Sequence, residues 1–96
     1  MTDLTYRSHS VGQNAFHFVW KPKYSSKFLK YEATNKICKG AIRMIAIQNN
    51  CKIYELQVME DHIHLFVELP PTLCVSKSLQ LFKGISSRIL RRRFKF

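Results

Sequence analysis

The chain of 96 residues reads as one α+β domain of ferredoxin-like, split βαβ type: an antiparallel sheet with two helices on one face. Three observations predict it. Two stretches rich in aromatic and β-branched residues, 15–20 and 52–69, flank a segment whose apolar residues recur at helical spacing. The second stretch is interrupted only at Glu60-Asp61, a connection so short that the strands on either side must pair antiparallel. After Pro70-Pro71 a second helical pattern begins. The resulting order, β-α-β-β-α, is a split βαβ unit without its final strand. The length suits a single domain, 1–96, with one modest core.

The elements follow in order. Residues 1–13 are polar and are expected to form a loose N-terminal arm, with Gly12 as a break. The first strand, 15–20, stops before Lys21-Pro22, and Phe18 and Trp20 leave the same face toward a core. Lys21, Lys23 and Lys27 then surround Tyr24 in a basic loop. A helix is predicted over 34–49, with Ile37, Ala41, Met44, Ile45 and Gln48 inward and Lys36, Lys39 and Arg43 outward. Asn49-Asn50 tolerates the left-handed turn that ends helices. Strand 52–59 places Tyr54, Leu56 and Val58 on one face and Glu55 and Gln57 on the other. Strand 62–69 buries Ile63, Leu65, Val67 and Leu69. A last helix, 76–93, takes Ser76 as its N-cap and Leu79, Phe82, Ile85, Ile89 and Leu90 as its inner stripe.

Sixteen basic residues against six acidic ones give a formal charge of +10. That balance favours polyanions, nucleic acid ahead of an anionic membrane surface. No apolar run approaches the roughly 18 residues that span a bilayer, and residues 1–6 lack the basic-then-apolar order of a signal peptide. Three cysteines, Cys38, Cys51 and Cys74, are an odd number without a close pair. They fit a reducing cytoplasm and argue against structural zinc.

The candidate site is His62-Ile63-His64. On a strand, residues i and i+2 leave one face about 6.6 Å apart, so both imidazoles can lean onto one divalent ion. The plain alternative is a pair of surface histidines. The cations of the last helix, Lys83, Arg88, Arg91, Arg92 and Arg93, read either as phosphate contacts or as a solvated face; a charge of this size exceeds what solubility needs. Tyr24 suits base stacking, whereas Tyr31 reads as structural. Gly84 inside the helix costs about 1 kcal/mol relative to alanine, which either close helix–sheet packing or close approach of a DNA backbone would explain.

Three segments in this order, Phe18-Val19-Trp20-Lys21-Pro22-Lys23-Tyr24, Val58-Met59-Glu60-Asp61-His62-Ile63-His64-Leu65-Phe66-Val67 and Leu81-Phe82-Lys83-Gly84-Ile85-Ser86-Ser87-Arg88, resemble the IS200-like family of small single-tyrosine HUH transposases. The resemblance covers residues 15–93. It implies a dimer that binds hairpin or single-stranded DNA at transposon ends and cuts through a 5′-phosphotyrosine. It also implies that His62 and His64 are ligands of a divalent ion, Mg²⁺ or Mn²⁺, while the charge and stacking arguments make Lys21, Lys23, Tyr24, Lys83, Ser87, Arg88, Arg91 and Arg92 the expected DNA contacts. Glu60 stands where the family usually has proline. In the family a further strand and a helix carrying the nucleophilic tyrosine and a third metal ligand follow, and none of Tyr6, Tyr24, Tyr31 or Tyr54 matches that tyrosine. The resemblance therefore implies weak metal binding, an exposed sheet edge suited to a homodimer, and no cleavage by these residues. A non-catalytic nucleic-acid-binding module and a basic structural protein with incidental histidines are the competing readings.

Overall fold

A computed structural model of the protein describes residues 4–8, 14–22, 29 and 31–94. Six elements run in the order β1 (Leu4–Ser8), β2 (Ala15–Trp20), α1 (Glu32–Gln48), β3 (Lys52–Val58), β4 (Ile63–Glu68) and α2 (Val75–Phe94). The strands form an antiparallel sheet in the order β1-β2-β4-β3. The α+β, split βαβ reading stands, and its strands lie within a residue of their expected ends.

The N-terminus departs from expectation. Residues 4–8, assigned to a loose arm, pair along β2 from Leu4 opposite Val19 to Ser8 opposite Ala15. The segment has little hydrophobic pattern of its own; what orders it is the row of backbone groups that β2 would otherwise leave unpaired.

Alternation along β4 decides where the core sits. Ile63, Leu65 and Val67 are fully buried, and register brings Trp20 and Phe18 of β2 and Leu56 and Val58 of β3 onto the same face. Both helices cover that face: Cys38, Ile42 and Ala46 of α1 and Phe82 of α2 join the same cluster. The inner stripe of α1 is therefore one position round from the expected one. Met44 and Ile37 are exposed, at 60% and 37%, because the small side chains Cys38 and Ala46 let the helix sit close against the sheet. The expected stripe instead lines a groove between the helices, where Ile37, Ala41, Met44, Ile45 and Gln48 face Ile85, Arg88 and Ile89.

The helix ends follow local chemistry. Asn50 adopts φ 57°, Asn50 N–H donates to Ile47 O and Cys51 N–H to Ala46 O at 2.8 Å, the paired closure that satisfies a helix's last carbonyls. α2 starts at Val75, ahead of the expected N-cap Ser76, whose hydroxyl lies 3.5 Å from Cys74 Sγ. Along α2 the deepest positions are Ser78, Phe82 and Ser86, one helical turn apart. The two serines are buried without penalty, since Ser78 donates to Val75 O at 2.7 Å and Ser86 to Lys83 O at 2.9 Å.

Candidate functional site

The sheet face opposite the helices carries the chemistry. His64 points there because Ile63 and Leu65 on either side point into the core. His62 lies just before β4, at the end of a tight turn in which Met59 N–H donates to His62 O at 2.8 Å. Its Nδ1 is 2.8 Å from Asp61 Oδ1. The Asp61 carboxyl is held below the ordinary carboxylate range, chiefly by that bond and further by the charges of His62 and Lys21. The turn thus pairs Asp61 with His62 at one end of the sheet, within reach of the charge of Lys21. A carboxylate bonded to one ring nitrogen of histidine leaves the other nitrogen to act as a ligand and fixes which one it is.

His64 has a partner that the sequence reading missed. Its Nε2 lies 3.2 Å from Nδ1 of His17, on the neighbouring strand β2. His17 in turn stacks on Phe66, with centroids 4.0 Å apart and planes within 2°. A signal for it was available: Phe18 and Trp20 are core residues, so His17 between them and Phe16 must leave β2 on the open side.

Tyr54 also moves to this face. Strict alternation placed it with Leu56 and Val58 in the core, but the pairing runs from Ile53 opposite Val67 directly to Glu55 opposite Phe66. Tyr54 is the extra residue of this bulge and is turned outward. Its hydroxyl donates to Glu68 Oε1 at 2.5 Å, and its ring lies 5.3 Å from that of Phe66. A phenolate would lose the bond it donates and stand against the negative charge of Glu68, so the Glu68 bond pushes the phenol upward from its usual range.

The predicted cations divide between two regions. Lys21, just past the end of β2, is near enough for its charge to act on Asp61. Lys83 and Ser87 border a shallow surface on α2 with Ser76, Leu79, Gln80 and Gly84, while Arg88 lines the groove against α1. Arg91 and Arg92 are exposed. α2 packs on the core side of the sheet, so these groups do not share a face with His64. Lys23 and Tyr24 lie outside the described residues. A Cβ on Gly84 would meet nothing within 4 Å, which removes close helix–sheet packing as the reason for glycine there.

Among the described residues no group of three or more histidine, cysteine or acidic side chains is gathered around a common point. The donor set available to an ion is two imidazoles, His62 with Nδ1 tied to Asp61 and His64 with Nε2 tied to His17. Imidazole nitrogens are donors of a type that a divalent ion completing its shell with oxygen can take. All three cysteines are free, and burial pushes the Cys38 thiol up to about 11. Among the described residues no helix is long and apolar enough to cross a membrane.

Comparison with known proteins agrees with this architecture. The model of the family described as "Transposase IS200 like" matches residues 10–96. The chain is 30% identical over 94 residues to the transposase for insertion sequence element IS200 of Salmonella typhimurium, covering 98% of this chain and 61% of that protein. It is 32% identical over 78 residues to the ISDra2 transposase TnpA of Deinococcus radiodurans, covering 81% of this chain and 55% of the relative. It thus spans less than two thirds of the length of these relatives. A crystal structure from Deinococcus radiodurans R1, described as a candidate transposase, superposes with a TM-score of 0.75 at 26% identity, over 95% of this chain and 69% of that one. The chain belongs to the IS200-like transposase family.

Proposed function

We propose that these 96 residues bind hairpin or single-stranded DNA and hold Mg²⁺ or Mn²⁺ weakly at His62 and His64, without supplying the tyrosine that cuts. The observation that supports this reading is the turn at Asp61: a carboxylate bonded to the first imidazole of the pair, at the end of a sheet face that the helices leave open and within reach of the charge of Lys21. When bound, the ion would polarise a phosphate oxygen. Lys21 would bring the backbone of the DNA toward this end of the face, and Asp61, bonded to Nδ1 of His62, would leave Nε2 as the nitrogen that meets the ion. Affinity for the ion is low because two imidazoles leave most of the coordination shell to water.

The nucleophile is the weak point of the site. Tyr54 shares the open face, yet its hydroxyl is committed to Glu68, and a phenol held in its neutral form is a poor attacker. The assay is a labelled hairpin oligonucleotide with Mn²⁺, resolved on native and on denaturing gels. A shifted native band with no covalent adduct is expected. A covalent adduct mapped to any of Tyr6, Tyr24, Tyr31 or Tyr54 would refute the non-cutting half of the reading. In calorimetry with Mn²⁺ in the presence of DNA, the His62→Ala/His64→Ala double variant should lose the heat seen with the parent. A parent without such heat would return the histidines to the incidental reading.

A homodimer is part of the same proposal. Edge strands β1 and β3 each carry a row of backbone groups on the outer side, the feature that supports pairing with a second copy. Light scattering should give twice the chain mass; a monomer at high micromolar concentration would count against it.

A further inference from the structure

His17 belongs to no part of the reading above, yet it meets His64 side chain to side chain across the two central strands. The two rings meet nitrogen to nitrogen, His17 Nδ1 to His64 Nε2 at 3.2 Å, with their planes 58° apart. Between two neutral imidazoles such a contact is a hydrogen bond in which one nitrogen carries the proton and the other accepts it. Only one of the two arrangements leaves His64 able to serve an ion. If His17 donates, the proton of neutral His64 sits on Nδ1, and both of its nitrogens are occupied. If His64 donates through Nε2–H, its Nδ1 keeps a free lone pair.

We propose that His17 is a positioning residue: its Nδ1 accepts the Nε2–H of His64 and so holds His64 in the tautomer whose Nδ1 can bind a divalent ion. This rests on His64 being a ligand. Three features support it. The arrangement repeats that of His62, where Asp61 occupies one nitrogen and leaves the other, with the two nitrogens exchanged. Stacking on Phe66 at 4.0 Å fixes the plane of the His17 ring, so its Nδ1 has a defined direction. The pair joins β2 to β4, the two central strands, where the backbone register from Ala15–Glu68 to Trp20–Ile63 is continuous and holds both Cα atoms rigidly.

The test uses the full chain with ¹⁵N-labelled histidine. Long-range ¹H–¹⁵N spectra report which nitrogen of His64 carries the proton, with no ion or DNA needed, and Mn²⁺ titration calorimetry with a hairpin oligonucleotide reports affinity. The variants are His17→Phe, which keeps a flat ring on Phe66 and removes the acceptor, and His17→Asn, whose amide oxygen takes the position of Nδ1. Far-ultraviolet circular dichroism checks that both fold. The parent is expected to show the Nε2–H form of His64, His17→Phe a mixture of forms, and His17→Asn a return toward the parent. Mn²⁺ affinity should fall on the order of 10–100-fold in His17→Phe, the usual cost of removing a residue that orients a ligand, and recover in part in His17→Asn. An Nδ1–H form of His64 in the parent, or a His64 tautomer unmoved by His17→Phe, would overturn the proposal while leaving the metal reading intact. Absence of Mn²⁺ binding in the parent, with the tautomer shift present, would instead strike the metal reading. If Mn²⁺ broadened the His17 ring itself and His17→Asn bound no better than His17→Phe, His17 would be a ligand and its positioning role would be overturned.

Discussion

Trp20→Ala is expected to leave the domain largely unfolded at 37 °C. Trp20 is among the largest fully buried side chains, 1% exposed, and its indole N–H donates to Ser86 Oγ at 3.3 Å. It therefore joins the end of β2 to the middle of α2, two elements with no covalent connection nearby. Truncating a buried tryptophan costs about 3–5 kcal/mol through lost burial and the cavity that remains. A domain of this size has a total stability on the order of 5–15 kcal/mol, and each lost kcal/mol lowers the melting temperature by roughly 4–8 °C. Thermal melts followed by circular dichroism should show a fall on the order of 15–30 °C. Trp20→Phe keeps most of the packing and gives up the hydrogen bond, a loss nearer 1–2 kcal/mol. A Trp20→Ala protein melting within a few degrees of the parent would show that the β2–α2 contact contributes little.

Binding to DNA is expected to weaken by about a thousandfold between 50 and 200 mM salt, if some six phosphates are neutralised. Of the sixteen basic residues behind the formal charge of +10, Lys21 follows β2, and Lys83, Arg88, Arg91 and Arg92 lie on α2. Each cation that meets a phosphate releases condensed counterions, and that release is what added salt opposes. Fluorescence anisotropy across a salt series gives the slope. Lys83→Ala or Arg88→Ala should weaken binding to all sequences alike and reduce the slope by about one. A flat salt series would remove the basis for assigning these residues to DNA.

Much of this molecule can be read from its residues, and the parts that cannot share a cause. β2, β3, β4 and both helices follow from periodicity, because each buries a face that its own sequence records. β1 does not, since Leu4–Ser8 carries little periodicity in its sequence and is placed by backbone pairing along β2. Tyr54 was misplaced because a bulge shifts every side chain before it to the other face, and nothing in Lys52–Val58 announces the extra residue. The face of α1 was read one position off because small residues at Cys38 and Ala46 decide how closely a helix approaches, whereas hydrophobicity alone favoured Ile37 and Met44. His62 and His64 were visible as a spacing. His17 required knowing which strand lies beside β4, a fact of topology.

That topology also sets a schedule for synthesis. His17 and His64 are 47 residues apart in the chain, and β2 and β4 are adjacent in the sheet. A ribosome adding roughly 5–20 residues per second delivers β4 some 2–9 s after β2. During that interval the aromatic strand Ala15–Trp20 has no central partner. β1, made just before it, is the only neighbouring strand available and can pair with one edge at once. Pairing of the short N-terminal strand would cover one edge of Ala15–Trp20 during that interval, and shortening it is expected to lower the yield of soluble protein, which the soluble fraction on expression checks.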